Sequence, residues 1–128
     1  MNKLIIDAAS EKIFLMIISN ASIYNITQEN TKINYEKLTI IINDFLSSKN
    51  IKITDINAIY INQGSGSFAG IRNSMSVVKA FNVAKNIDYY CYNLNDFKDE
   101  KDLRHENIPN LCKKYKIKKN LINPVYLS

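Results

Sequence analysis

All three glycines of this 128-residue chain, Gly64, Gly66 and Gly70, fall within one seven-residue stretch, G-S-G-S-F-A-G. Average usage would put about nine glycines in a chain of this length. One loop therefore needs unusual backbone freedom or a close backbone approach. A glycine-rich turn between a strand and a helix can cradle a phosphate, using free N–H groups at the helix N-terminus. The neighbouring residues narrow that chemistry. No Lys-Ser or Lys-Thr pair follows the glycines, which removes the P-loop, and the spacing is not the G-x-G-x-x-G of dinucleotide sites. Ser67 follows Gly66 directly, does not fit G-x-S-x-G, and is a poor nucleophile. Arg72, one of two arginines, opens the helix that follows. Its natural partner is a phosphate or a carboxylate, an ion pair within the chain being the plainer use.

Asp7 is the other candidate. It ends the first apolar run, Leu4-Ile5-Ile6, just before a tight turn. Such a carboxylate can orient a metal-bound water in phosphate-handling folds, but with no second lobe to close a cleft a structural role is the expectation. The one histidine, His105, lies in a charged segment, and no Ser-His-Asp set is proposed. Two cysteines, Cys91 and Cys112, make neither a disulfide framework nor a zinc pattern. Both thiols are read as reduced in a cytoplasmic protein, and no metal or cofactor is expected. The longest apolar run, Ile13 to Ile18, is too short to span a bilayer, and no signal peptide is visible. No membrane partner is expected.

The chain is rich in Ile (21), Asn (18) and Lys (15). All three have adenine- and thymine-rich codons, so the net charge of +5 argues only weakly for a nucleic-acid partner. Position matters more than the total. Residues 1–100 carry ten basic and ten acidic side chains, whereas residues 101–128 carry seven basic and two acidic. The densest part, Lys113 to Lys119, places five lysines around Tyr115. It could hold a phosphate backbone weakly, or it could be a solvated C-terminal segment.

The elements that must position these groups follow from periodicity. Leu4–Asp7, Lys12–Ile18 and Ile23–Thr27 are separated by short polar turns and read as an antiparallel meander. From Asn34 the period becomes helical: Tyr35, Leu38, Ile41, Ile42, Phe45 and Leu46 share one stripe of a helix over 34–48. Ala58–Asn62 reads as a buried strand, the glycine loop follows, and Ile71 to Asn86 reads as a second helix. Asp88–Tyr92 is a fifth strand, and Leu94 to Phe97 opens another helical turn. The order is β-β-β-α-β-α-β, an α/β lobe with a five-stranded mixed sheet in which the first, fourth and fifth strands are parallel. Beyond residue 98 the periodicity fades, and 99–128 is read as a weakly structured basic tail.

The second helix is apolar over too wide an arc. Ile71, Met75, Val78 and Phe81 form one stripe, which Val77, Ala80 and Ala84 widen. A helix lying on a sheet needs a stripe of little over 100°, and this one is about twice that. A partner surface would account for the excess. Ile40, off the stripe of the first helix, points the same way.

The loop and its neighbours resemble the TsaB (YeaZ) family. N-Q-G-S-G-S-F-A-G-I-R (Asn62 to Arg72) is similar to that family's G-x-G-P-G-S-F-T-G-L-R, matching at Gly64, Gly66, Ser67, Phe68, Gly70 and Arg72. Ser65 stands for Pro, Ala69 for Thr, and Asn73-Ser74 for an apolar-Gly pair. Leu4 to Asp7 is similar to its I-D-T-S start, with Ala8 for Thr, and Asn34 to Leu38 to its H-S-E-x-L helix start, with Asn for His. Pro124 to Leu127 resembles its P-x-Y-L ending, with Ser128 in place of Arg. The resemblance implies an actin-like ATPase (ribonuclease H-like) lobe over 1–98, with 99–128 as a short remnant of a second lobe. A single lobe cannot clamp a nucleotide between two, so no independent catalysis is expected.

The family consists of non-catalytic subunits that bind the catalytic paralogue making threonylcarbamoyladenosine in tRNA, assisted by a small ATPase. What the resemblance implies here is a scaffold with those partners, or a homodimer using the same face. Tyr35, Leu38, Ile42, Ser74, Val77 and Phe81 are the expected contacts. The alternatives from other classes are a small basic nucleic-acid-binding module and a residual phosphotransferase or hydrolase.

Overall fold

In the five long strands, alternation of side chains along the backbone sends successive residues to opposite faces. The computed structural model describes residues 1–20 and 22–126. Its strands are β1 (Asn2–Asp7), β2 (Lys12–Ile18), β3 (Ile23–Glu29), β4 (Ile56–Asn62), β5 (Gly64–Gly66), β6 (Asp88–Tyr92) and β7 (Val125–Tyr126). The main sheet runs β3-β2-β1-β4-β6, and β5 pairs with β7 in a small second sheet. The meander β1-β2-β3 is antiparallel, while β1, β4 and β6 are mutually parallel. The expected mixed five-stranded sheet is borne out, with both crossovers helical.

One face carries Leu4, Ile6, Ile13, Leu15, Ile17, Ile59, Ile61, Tyr89 and Cys91, all buried. Three helices cover it: α1 (Lys32–Glu36), α2 (Leu38–Ser48) and α3 (Phe68–Lys85). Leu38, Ile42, Phe45 and Leu46 of α2, with Ile71, Met75, Val78 and Phe81 of α3, complete this core. The single helix expected from Asn34 is instead two. Thr31 caps α1, its hydroxyl accepting from the Asn34 N–H at 3.2 Å, and Lys37 leaves helical geometry at φ −99°, ψ 12°. The break lets Tyr35 reach α3 at Gly70 while α2 runs along the sheet. With glycine confined to one loop, left-handed turns fall to asparagine, which tolerates them best among the other residues: Asn50, Asn86 and Asn120 take φ of 58°, 56° and 61°.

The other face carries Ile5, Met16, Tyr60 and Tyr92, and the segment read as a loose tail closes over it. Short 3-10 turns at Leu94–Phe97 and His105–Asn107 lead into α4 (Ile108–Lys114), and Phe97, Ile108, Leu111 and Cys112 fill the second core. Two turns of helix are too short to show a period in sequence, and Pro109, which looked like a breaker, sits in the first turn of α4, where a missing N–H costs nothing. Asn120 then fastens the chain beside β6. Its N–H donates to the Tyr89 carbonyl at 2.7 Å, its side-chain oxygen accepts from the Tyr89 N–H at 3.0 Å, and its amide donates to Asp88 at 3.0 Å. The edge strand is thereby covered. Leu127 and Ser128, the end of the P-x-Y-L resemblance, lie outside the described residues.

Phe97 is 1% exposed and ends the turn at Leu94–Phe97, just before the segment without sequence periodicity that packs on it. Phe97→Ala should cost about 3–5 kcal/mol in urea unfolding, as truncation of a core aromatic does. A loss below about 1 kcal/mol would mean that the C-terminal segment adds little to the core.

Candidate functional site

The β1–β2 turn and the start of α3 meet backbone to backbone. A Cβ at Gly66 would overlap the Ala9 carbonyl oxygen, and one at Gly70 would overlap that of Ala8. Neither obstacle is a side-chain tip that can swing away. The Ser67 N–H donates to the Ala9 carbonyl at 2.9 Å, and the Ser67 hydroxyl caps α3 by accepting from the Gly70 N–H at 3.2 Å. The N–H groups of Ser67 and Gly70, two of the donors a phosphate would use here, are thereby already engaged. Beside them lies an open cleft of about 590 Å³ lined by Ser10, Glu11, Asn30, Tyr35, Gly66 and Ser67. Glu11 puts a carboxylate there, which repels an anion. The loop predicted as a possible cradle is a docking joint.

Asp7 is the centre of a second group, at the carboxyl end of β1. Its Oδ2 accepts from His105 Nε2 at 2.9 Å, its Oδ1 from the Ala9 N–H at 3.2 Å, and the buried Asn62 amide also bonds the carboxylate. The Asn62 side-chain oxygen in turn accepts from the Gly64 N–H at 2.9 Å. Asn62 thus couples Asp7 to the glycine loop. Gln63 couples that loop to the C-terminal segment, donating to the Cys91 carbonyl at 3.3 Å and accepting from the Asn123 N–H at 2.8 Å. Burial pushes the Asp7 carboxyl up, but the hydrogen bond and charge of His105, with the Ala9 N–H and the Asn62 amide, outweigh it and hold the pKa below its ordinary 3.8.

His105 stacks on Phe14 at 4.0 Å between ring centroids. No hydroxyl or thiol bonds its second ring nitrogen among the described residues, so an acid–base pair is present without a nucleophile. No cluster of three or more metal-ligating side chains occurs among the described residues. Tyr92, at the end of β6, is wholly buried, and its hydroxyl has no hydrogen-bond partner among the described residues. Burial, with the Asp7 charge and Cys112 nearby, pushes its phenol well up. The two thiols, Cys91 and Cys112, are free and buried, and burial pushes each to about 12. Sequence reasoning separated Asp7 from His105 because they stand 98 positions apart and no local spacing signals such a pair.

The remaining expected site residues divide. Arg72 is exposed, lies over the Phe68 ring at 5.7 Å, and meets no carboxylate among the described residues. Leu38, Ile42 and Ser74 are 0% exposed and Phe81 is 8% exposed. These four point into the chain's own core, which corrects the expectation that they contact a partner. The stripe with helical period is the sheet-facing stripe, so choosing it chose the core. Ser74 is moreover tied down by its hydroxyl, which donates to the Gly70 carbonyl at 2.8 Å. Tyr35 and Val77 are half-buried. The apolar side chains that the helical layer turns outward are Ile33, Ile40, Phe68 and Val83, between 44% and 78% exposed.

Gly70→Ala should lower stability by about 3 kcal/mol or more, because backbone opposes the new methyl. A near-neutral result in chemical denaturation would refute the joint. Since Asp7 is depressed in the folded state, its stabilisation is present above about pH 4 and disappears as pH falls through the lower folded value. Asp7→Asn should therefore lower stability at pH 7 and shrink the loss seen on acidification. Tyr92→Phe removes a buried unsatisfied hydroxyl and should raise stability by up to about 1 kcal/mol, read as a higher melting temperature.

No family model and no curated protein sequence matches the chain. Solved structures do. YeaZ from Pseudomonas aeruginosa superposes with a TM-score of 0.66 at 17% identity, over 72% of this chain and 43% of that one. An uncharacterized protein with similarity to peptidase YEAZ from Pseudomonas aeruginosa gives 0.66 at 15% identity, over 77% of this chain and 49% of that one. RuvC from T. thermophilus, in complex with a Holliday junction substrate, gives 0.55 at 9% identity, over 96% of this chain and 83% of that one. The chain spans less than half the length of the two YeaZ-type structures. With the strand order β3-β2-β1-β4-β6 and helices on the parallel crossovers, these likenesses establish a ribonuclease H-like fold of the actin-like ATPase type.

Proposed function

We propose that this chain is a TsaB-like scaffold subunit, which binds and stabilises the catalytic paralogue making threonylcarbamoyladenosine in tRNA. The observation that carries this reading is the helical layer: beyond the stripes buried on the sheet, it turns Ile33, Ile40, Phe68 and Val83 to solvent. These exposed apolar side chains are the contacts that a partner seated on the helical layer would use. The glycine motif supports the reading through its position at the β4–α3 junction, and so does the YeaZ-type fold. The Gly64, Ser67 and Gly70 N–H groups of the loop and the Asp7 carboxylate have partners within the chain, which fits a subunit that organises rather than catalyses. No helix among the described residues is long and apolar enough to cross a membrane. The working place of the complex is the cytoplasm, its other members being the small ATPase and tRNA.

Co-expression with the catalytic paralogue should yield a stable heterodimer. Val83→Glu should weaken it at least about tenfold, with the chain's own melting temperature unchanged because Val83 makes no core contact. Elution of the two proteins as separate species at micromolar concentration, or a homodimer that excludes the paralogue, would overturn the proposal.

A further inference from the structure

The basic residues of the C-terminal segment do not share one fate. Arg104 pairs with Asp102 at 2.7 Å, Lys119 with Asp88 at 3.6 Å, and Lys114 with Glu100. Lys113 and Lys116 have no carboxylate partner among the described residues, nor does Lys3 of β1. These three lysines, from distant parts of the sequence, line one cavity of about 500 Å³ between α4 and the sheet. No acidic residue lines it. Asp88, on the same sheet face, is occupied by Asn120 and Lys119.

The wall of the cavity is aromatic. Tyr60 of β4 and Tyr90 of β6 are register partners, stacked at 5.1 Å with 12° between their planes. Neither hydroxyl has a hydrogen-bond partner among the described residues, and both side chains line the cavity together with Pro109 and Ile117. Burial, with Tyr90 and Cys112 alongside, pushes the Tyr60 phenol up to about 12, so it remains a neutral donor. Lys116 carries a further mark. It takes φ 56°, where every other left-handed non-glycine residue among the described residues is asparagine. That conformation is disfavoured for a residue with a long side chain, and Lys116 lines the cavity.

We propose that this cavity binds a compact phosphate ester carrying a flat ring, with Lys3, Lys113 and Lys116 holding the phosphate and the Tyr60–Tyr90 wall meeting the ring. Three lysines lining one cavity, without a carboxylate partner among the described residues, match a multiply charged anion. The volume falls in the range of small-molecule sites, and an aromatic and aliphatic wall offers a bare phosphate nothing. The site lies on the sheet face opposite the outer apolar helices, so it stands independently of the scaffold reading.

The test is isothermal titration of the full chain with ADP, pyrophosphate and adenosine. ADP should bind more tightly than pyrophosphate, and adenosine should bind weakest. Lys113→Gln/Lys116→Gln should lose at least about tenfold in ADP affinity, as removal of two charged donors does, and Lys3→Gln gives a second arm on a different element. The control Lys101→Gln/Lys118→Gln removes the same charge outside the cavity and should leave ADP affinity unchanged. Tyr90→Leu should weaken ADP more than pyrophosphate. Absence of ADP binding at millimolar concentration would overturn the proposal. So would equal losses in the two double variants, or tighter binding of a single-stranded oligonucleotide that depends on Lys101 and Lys118, since either would mark a diffuse basic surface.

Discussion

The contact between the Ala8-Ala9 turn and the backbone of Gly66 and Gly70 governs the rest of the molecule. It allows no side chain at either glycine, and it fixes the start of α3 against the end of β1. Because β1 and β4 are parallel neighbours, the same contact places Asp7 beside Asn62. Asn62 then reaches the Gly64 N–H, and Gln63 reaches the C-terminal segment, so one close approach organises the whole carboxyl edge of the sheet. A loop held this tightly spends the N–H groups of Gly64, Ser67 and Gly70 on the chain itself, and those are donors that phosphate binding would use.

Around that joint the chain solves a problem of size. A single sheet has two apolar faces, and both need cover. The helices α1 to α3 cover one face, and a run of short turns with one two-turn helix covers the other. The second cover is held by discrete polar staples as much as by apolar contact: His105 to Asp7, Asn120 to Tyr89 and Asp88, and Gln63 to Asn123. Each joins residues far apart in the chain. Among the described residues the Tyr92 hydroxyl is left unpaired within the second core, as is the Asn30 side-chain oxygen elsewhere.

The polar chemistry of the strand ends is thus consumed internally. Asp7 has three donors and His105 is aligned by a ring stack, but the pair faces no nucleophile. What the molecule offers outward is of two kinds on opposite sides: apolar side chains on the outer helices, and a basic, tyrosine-walled cavity behind the sheet. A scaffold uses the first without needing the strand ends at all.

The local elements were legible because they rest on periodicity. Five strands, the long α3 and the parallel–antiparallel mixture follow from alternation, from turn residues and from helices that can only be crossovers. The glycine cluster announced a close approach, though not what approaches. Other features had no local signal. Leu38 and Phe81 were chosen for an outer surface because a helical stripe shows that one side is apolar without showing which neighbour it meets. Lys37 breaks a helix that its residue types would have continued. The 98-residue separation of Asp7 and His105, the core role of Phe97 and the convergence of Lys3 with Lys113 and Lys116 exist only once the C-terminal segment lies back across the sheet. Sequence determined which elements form, since that is decided by each residue and its near neighbours. Tertiary structure decided which groups face each other, since burial and pairing depend on contacts between residues distant along the chain.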